Sequence, residues 1–203
     1  MSLKTTLAEE ITYPSSDGKP MADNTIQARW IITLYNNLSA LFSGQAVFVA
    51  ADLLWYPVEG QPRISAAPDV LLAFGRPDGD RMSYLQWKEE NVAPQVVFEV
   101  LSPSNTPLEM LNKQQFYQQH GVEEFIVIDP GREEAAAKNF VAYQRQGDHL
   151  VQVSTETGWT SPRMGIRLVL NEGQLELFLP DGSRFQSYGE IKQAWEAAEQ
   201  ARQ

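Results

Sequence analysis

The 203-residue sequence contains no cysteine, and histidine is nearly as scarce, with two residues. The absence of cysteine excludes disulfide partners and thiolate metal sites, and it is typical of a reducing compartment. His120 and His149 are too few to form a histidine-rich metal centre. Any metal site would therefore draw on oxygen ligands, chiefly carboxylates.

Long apolar segments are also absent. No stretch approaches the roughly 20 apolar residues of a membrane span, and no apolar N-terminal segment resembles a signal peptide. We therefore expect a cytoplasmic protein with no membrane partner.

Positive charge is in short supply, because 16 Lys and Arg face 26 Asp and Glu and the net charge is -10. Tight DNA binding depends on Lys and Arg that neutralise phosphates. The composition thus argues mildly against a nucleic-acid partner unless a local basic groove or a bound divalent cation compensates.

The residues that are present describe a folded domain. Hydrophobic residues make up 43% of the chain and five are Trp, which is enough for a sizeable core. The length favours one domain. We expect an irregular N-terminal arm over residues 1–23, a single domain over 24–190, and a helical tail over 191–203 that could form a homodimer contact.

The pattern along the chain predicts a mixed α/β (α+β) class. A helix capped by Asp23 or Asn24 is followed by one strand over 45–58, a second strand after Pro68, and a loop or lid over 75–95. Residues 96–129 read as a β-α-β unit with a right-handed crossover. Turn residues then predict antiparallel hairpins, at 145–148, 171–173 and 180–183.

One charged residue interrupts the strand of that unit. Glu99 lies between Phe98 and Val100 in the segment QVVFEV. A carboxylate is costly in a buried strand unless it has a partner.

A second charged residue lies in the helix that follows. At 100° per residue, Lys113 falls at the centre of an arc shared with Met110, Phe116 and Tyr117. Its side chain could extend to solvent along its apolar stem, or its ammonium could point back at Glu99.

Asp69 completes the set, because it opens the apolar strand VLLAF. Alone, such an aspartate is usually a turn or cap residue. Asp69 and Glu99 on neighbouring strands would offer hard oxygen ligands suited to Mg²⁺ or Mn²⁺, and Lys113 could stabilise charge on phosphorus. A buried Glu99–Lys113 ion pair without metal is the alternative, and the pattern favours neither.

Other candidate residues carry weaker signals. Asp52 is expected beside Asp69, behind the direct ligands. Tyr84 and Trp87 could stack on bases or pack under the lid. His120 lies at a helix end, where a capping or core role outweighs catalysis.

Several segments together resemble one family. They are APDVLLAF, QVVFEVLSPSNT, the Lys113 helix, HGVEEFIVIDP, SPRMGIRL and PDGSRF, spread over roughly residues 11–190. They resemble the Uma-two family of restriction endonucleases, which is widespread in cyanobacteria and belongs to the PD-(D/E)XK superfamily. The resemblance implies a restriction-endonuclease-like core, with a central mixed β-sheet flanked by helices and additional antiparallel hairpins.

The resemblance also implies a metal-dependent endonuclease that acts on DNA. Asp69 and Glu99 match the acidic residues of its motif, with the main-chain carbonyl of Val100 as a further metal ligand. The motif lysine two residues after Glu99 is replaced by Leu101, and Lys113 stands in for it. The first helix lacks the acid found in related nucleases, so Gln27 or Asp23 could substitute.

Two functions remain open at this point. The first is an active Mg²⁺- or Mn²⁺-dependent DNA endonuclease, favoured by the set Asp69, Glu99 and Lys113. The second is a catalytically inactive nuclease-fold module with a binding or regulatory role, favoured by the acidic composition.

Overall fold

A six-stranded mixed β-sheet forms the centre of the fold. The computed structural model describes residues 11–133 and 138–202, so the first ten residues of the predicted arm and Gln203 of the predicted tail lie outside the described residues. The strands, in chain order, are β1 (Val47–Ala51), β2 (Trp55–Tyr56), β3 (Val70–Phe74), β4 (Tyr84–Leu85), β5 (Val96–Val100), β6 (Glu124–Asp129), β7 (Asn139–Gln146), β8 (His149–Gln152), β9 (Trp159–Thr160), β10 (Arg167–Asn171) and β11 (Gln174–Phe178).

Three helices accompany these strands within the described residues: α1 (Thr25–Leu41), α2 (Pro107–Gln119) and α3 (Tyr188–Ala201). Each begins at a side chain that accepts a free backbone N–H of the first turn. The Asn24 side chain caps α1, Thr106 caps α2, and Ser187 caps α3 through a capping box. All three helices were predicted, and Asn24 rather than Asp23 caps the first.

The central sheet has the order β1-β3-β5-β6-β7-β8. Strands β5 and β6 run parallel, as predicted for the β-α-β unit, while the other neighbours in this sheet are antiparallel. Helix α2 makes the connection between β5 and β6. Two of the three predicted hairpins are present, as β7–β8 and as β10–β11, and β9 extends the latter into a three-stranded sheet. At 180–183 the chain does turn, but the turn is flanked by an isolated bridge between Phe178 and Arg184 and not by two strands.

The single strand predicted over 45–58 is wrong. The chain leaves the central sheet after β1, because Asp52 adopts a positive φ of 50° that an extended strand cannot accommodate. Residues Trp55–Tyr56 then form β2, which pairs in parallel with β4 in a separate two-stranded sheet. Strand β4 and a single 3-10 turn at Gln86–Lys88 also give structure to the segment predicted as a loop or lid.

Each face of the central sheet has its own core. Side chains of β1, β3 and β5 alternate between the two faces, as the two-residue period of a strand requires. On one face α1 packs through Ile31, Leu34 and Leu38. On the other face α2 packs through Tyr117, with Met110 and Phe116 beside it.

The hairpin of β10 and β11 joins the core on the α1 face. Helix α3 lies outside both cores, and every one of its residues is exposed. No helix within residues 11–133 and 138–202 is long and apolar enough to span a bilayer.

The start of α1 offers a test of this account. The Asn24 side chain accepts from the N–H groups of Ile26 and Gln27, at 3.0 and 2.9 Å. Asn24→Ala should lower the free energy of unfolding by about 1 kcal/mol, because the backbone N–H groups of Ile26 and Gln27 lose their acceptor. Asn24→Ser keeps an oxygen and should lose less. Urea unfolding of both variants measures the difference, and equal losses would contradict the capping role.

Candidate functional site

Three acidic residues lie in one row across β1, β3 and β5. The observed register pairs Ala51 with Val70 and Val70 with Phe98. One further step places Asp52 opposite Asp69 and Asp69 opposite Glu99, and the Asp52 N–H still donates to the Asp69 carbonyl at 3.2 Å. Directly opposed residues on neighbouring strands are in side-chain contact range. The register thus brings carboxylates from three separate segments to one edge of the α2 face.

Glu99 lies at the centre of this site and is 2% exposed. Lys113 donates to its Oε2 at 2.6 Å, and the Tyr117 hydroxyl donates to its Oε1. Lys113 and Tyr117 lie four residues apart on α2, so one face of the helix supplies both donors. Of the two readings of Lys113, the ion pair with Glu99 is the one observed.

Asp69 is held by the next strand. Its Oδ2 accepts the backbone N–H of Val100 at 2.6 Å. Continued pairing of β3 with β5 would place Pro68 opposite Val100, and a proline has no N–H to offer the Val100 carbonyl. The ladder therefore ends here, and side chains take over the backbone groups of Val100.

The Val100 carbonyl is taken by Gln27. The buried side chain of Gln27 donates from Nε2 to this carbonyl at 2.8 Å, and its Oε1 accepts the Asp23 N–H at 2.8 Å. The exposed carboxylate of Asp23 in turn accepts from the hydroxyls of Ser102 and Ser104. Gln27 and Asp23 thus connect α1 and the N-terminal arm to the end of β5.

A cleft of about 880 Å³ opens beside these groups. Its charged lining residues are Asp17, Lys19, Asp23, Asp52, Asp69, Glu109 and Lys113. Residues 17–23 of the arm form one wall, and the other end of the arm is fixed at Tyr13, whose hydroxyl accepts the Gly60 N–H at 2.6 Å. Glu99 lies behind the cleft wall, while Lys113 is one-quarter exposed and reaches into the opening.

Burial controls the ionisation of this cluster. It raises the pKa of Asp69 to about 8, and the nearby charge of Glu99 adds to the rise, against the opposing effects of the Val100 N–H and Lys113. Burial also raises the pKa of Glu99, although Lys113 and Tyr117 oppose this. Burial and the neighbouring charge of Glu99 therefore both favour the neutral form of Asp69.

The two donors of α2 keep their protons. Burial disfavours the charged form of Lys113, but the attraction of Glu99 outweighs it and raises the pKa of the ammonium. Burial, together with the charge of Glu99, raises the pKa of Tyr117 well above its usual range. Lys113 is therefore a cation and Tyr117 a neutral hydroxyl donor at neutral pH.

Partial loss of hydration raises the pKa of Asp52, and the charge of Asp17 adds to this rise. Asp52 and Asp69 both lie at the cleft, and the charge of Asp52 makes ionisation of Asp69 less favourable still.

The donor chemistry of the cleft fits a divalent cation. Asp69 Oδ1 receives no hydrogen bond from the part of the chain that the structure describes, and repulsion from Glu99 and Asp52 is a cost that a cation would remove. The ligands available to such a cation are limited to two adjacent carboxylates, those of Asp69 and Glu99. No group of three or more His, Cys, Asp or Glu side chains in the described residues is arranged to hold a metal.

The structure thus brings together Asp69, Glu99, Lys113 and Val100, with Gln27, Asp23 and Asp52 close by. The sequence reasoning missed Tyr117 as a polar partner, because an aromatic residue at helical spacing is typical of a core. The four-residue spacing from Lys113 was the available signal.

Two weaker candidates pack against other side chains of the fold. Tyr84 is fully buried, and its hydroxyl donates to the Val92 carbonyl at 2.8 Å, so it packs under the loop rather than stacking on bases. The His120 ring packs against Phe116 and Trp55, and burial lowers its pKa.

Comparison with known proteins agrees with this architecture. Among solved structures, a putative nuclease belonging to DUF820 from Anabaena variabilis ATCC 29413 superposes with a TM-score of 0.52. The match covers 72% of this chain and 77% of that chain at 15% sequence identity, and it shows a shared fold. Among curated proteins, none matches the chain.

The family comparison extends over most of the sequence. The model of the Uma2 family, described as "Putative restriction endonuclease", matches residues 8–178. This range includes the carboxylate row, both donors of α2, and the β-α-β unit that carries them. The chain belongs to the Uma2 family of nuclease-like proteins.

Proposed function

We propose that this protein is a divalent-metal-dependent endonuclease that hydrolyses phosphodiester bonds in DNA. The observation that carries the proposal is the cluster of Asp69, Glu99 and Lys113 at the wall of an open cleft. Membership in a nuclease family and the shared fold support nuclease activity in general. The metal, the substrate and the individual roles are our proposals.

Asp69 and Glu99 would hold Mg²⁺ or Mn²⁺, with the Val100 carbonyl as a further ligand. The Asp69 Oδ1 that lacks a donor would be the first contact, because Glu99 is already engaged. A carbonyl oxygen has two acceptor positions, so the bond from Gln27 leaves one available. A divalent cation bound there would supply Lewis acidity towards a phosphate oxygen and an attacking water.

Lys113 would act from helix α2, directly beside Glu99. Hydrolysis forms a bond from a water oxygen to phosphorus and breaks the bond from phosphorus to the 3′ oxygen. Negative charge builds up on the phosphoryl oxygens during this change. The Lys113 ammonium uses one of its three N–H groups on Glu99, so two remain to orient the water and to stabilise that charge.

The acidic lining of the cleft implies that metal ions would have to bind before DNA does. Five carboxylates and two lysines line it, so the polyanionic backbone of DNA meets repulsion until cations reduce the negative charge. Asp52 and Asp23, at the rim, would help to attract those cations. Gln27 would hold the Val100 carbonyl in place between α1 and β5.

An inactive nuclease-fold module is the second candidate, and one observation favours it. Both oxygens of Glu99 are already bonded, to Lys113 and to Tyr117, so the cluster satisfies its buried charge without metal. In this case the cleft would bind a partner rather than cut a substrate. Direct metal binding and DNA cleavage separate the two candidates.

A homodimer through α3 stays a prediction. Tyr188, Ile191 and Trp195 are exposed along one side of that helix, which is the kind of surface a second copy could cover.

We expect Glu99→Gln and Lys113→Gln each to slow DNA cleavage at least about 100-fold, since the first removes a metal ligand and the second removes the ammonium that would face the phosphate. Glu124→Gln is the matched control, because Glu124 is also 2% exposed and lies on the adjacent strand β6. Nicking of supercoiled plasmid and digestion of genomic DNA, each with Mg²⁺ or Mn²⁺, measure the rates. Wild-type cleavage rates in the two site variants would refute the assigned roles.

Isothermal titration calorimetry tests the metal site without a substrate. The wild-type protein should bind Mn²⁺ and Mg²⁺, and Asp69→Asn/Glu99→Gln should lose this binding because its carboxylate ligands become amides. The Glu124→Gln protein should bind as the wild type does. If the wild type binds neither metal at millimolar concentration, the inactive module becomes the better candidate.

The raised pKa of Asp69 predicts how stability depends on pH in the metal-free protein. Its pKa rises from 3.8 to about 8 on folding, so between these values the folded state binds more protons than the unfolded state. The free energy of unfolding should therefore fall as pH rises through that window. Asp69→Asn removes this contribution.

Urea unfolding in EDTA from about pH 5 to about pH 9 checks the prediction. The advantage of Asp69→Asn over the wild type should grow with pH across this range. A difference that stays constant would mean that Asp69 is ionised throughout.

A further inference from the structure

We propose that Tyr117 is a positioning residue of this site, which fixes the Glu99 carboxylate so that one oxygen meets Lys113 and the carboxylate stays aligned with Asp69. This inference rests on the proposed function, because its role is exercised when a cation binds. Tyr117 itself has no place in the cleft lining and would touch neither metal nor substrate.

The division of the two Glu99 oxygens is the first step. Tyr117 donates to Oε1 and Lys113 to Oε2. A lysine ammonium has three donors on a flexible four-carbon stem, and alone it could bridge both oxygens or draw the carboxylate towards itself. The Tyr117 hydroxyl occupies one oxygen and so prevents this rotation.

The second step is the rigidity of Tyr117. Its side chain is fully buried. Its ring lies nearly parallel to that of Trp55, at a centroid distance of 6.4 Å and an angle of 7°, and edge-on to Phe125 at 5.1 Å. Phe125 lies on β6, which pairs with the Glu99 strand β5, and Trp55 lies on β2 in the smaller sheet. The ring is thus held from two sides, and its hydroxyl is fixed relative to Glu99.

The third step is the effect on Lys113. With Glu99 fixed by Tyr117, the ammonium makes a single short bond of 2.6 Å to Oε2 and directs its remaining N–H groups elsewhere. Glu99 free to rotate would compete for those groups. Tyr117 therefore sets both the orientation of the carboxylate and the availability of the lysine, as supporting residues around metal ligands do.

The test compares Tyr117→Phe with Tyr84→Phe. Both tyrosines are fully buried, and each hydroxyl makes one hydrogen bond, that of Tyr84 to the Val92 carbonyl. Both variants lose a buried hydroxyl and should lose thermal stability. Tyr117→Phe should also weaken Mn²⁺ binding about tenfold, and slow cleavage at saturating Mn²⁺ by about tenfold or more. Tyr84→Phe should leave both within about twofold of the wild type.

The outcomes separate this inference from the function on which it rests. If the wild type binds Mn²⁺ and cleaves DNA and Tyr117→Phe matches Tyr84→Phe, then Tyr117 is a structural residue and the positioning role is overturned alone. If the wild type binds no Mn²⁺, the proposed function fails and the inference fails with it.

A measurement on the wild type covers the case in which Tyr117→Phe does not fold. In protein labelled with ¹³C at the tyrosine Cζ, addition of Mg²⁺ should shift the Tyr117 signal, because its acceptor Glu99 becomes engaged with the cation. The Tyr84 signal should stay in place. A Tyr117 signal that does not move while calorimetry shows Mg²⁺ binding would overturn the positioning role.

Discussion

The burial of the Glu99 carboxylate in β5 is the constraint on which the surrounding structure depends. A charge with 2% exposure requires donors to compensate for lost water. Helix α2 supplies both, and Tyr117 is also the residue of α2 that is fully buried. The contacts that satisfy Glu99 therefore also set the rotation of α2 over the sheet. Here the stability of the β-α-β unit and the geometry of the site have one origin.

The pairing of β3 with β5 ends at Pro68, and side chains replace the missing backbone hydrogen bonds there. Pro68 withholds an N–H from Val100, and Asp69 and Gln27 then bind the two backbone groups that the ladder leaves over. A break in regular pairing is thus converted into a place where side chains from β3 and α1 meet. Irregular backbone next to a carboxylate cluster is a common property of functional sites.

Sequence reasoning predicted the elements well and their long-range arrangement in part. Helical periodicity and capping residues identified α1, α2 and α3, and the β-α-β unit brought Glu99 and Lys113 together. The break after β1 was missed because the apolar run continues on both sides of Asp52, although Asp is one of the residues that adopt a positive φ more readily. The neighbouring positions of Asp52, Asp69 and Glu99 were predicted, but their alignment in one row was not, because register is set by pairing between distant segments. The wall formed by residues 17–23 was missed because an irregular arm has no periodicity to interpret.

The carboxylate row limits where residues can be inserted into this chain or deleted from it. Side chains on a strand alternate between faces, so inserting or deleting one residue within β3 would turn Asp69 towards α1 and bring Val70 to the cleft. The same shift would exchange Leu71 and Leu72 between the two cores. Changes in length are therefore confined to the segments between strands. A longer loop beside the cleft would leave both cores in place, while the spacing within each strand is fixed by the core and the site together.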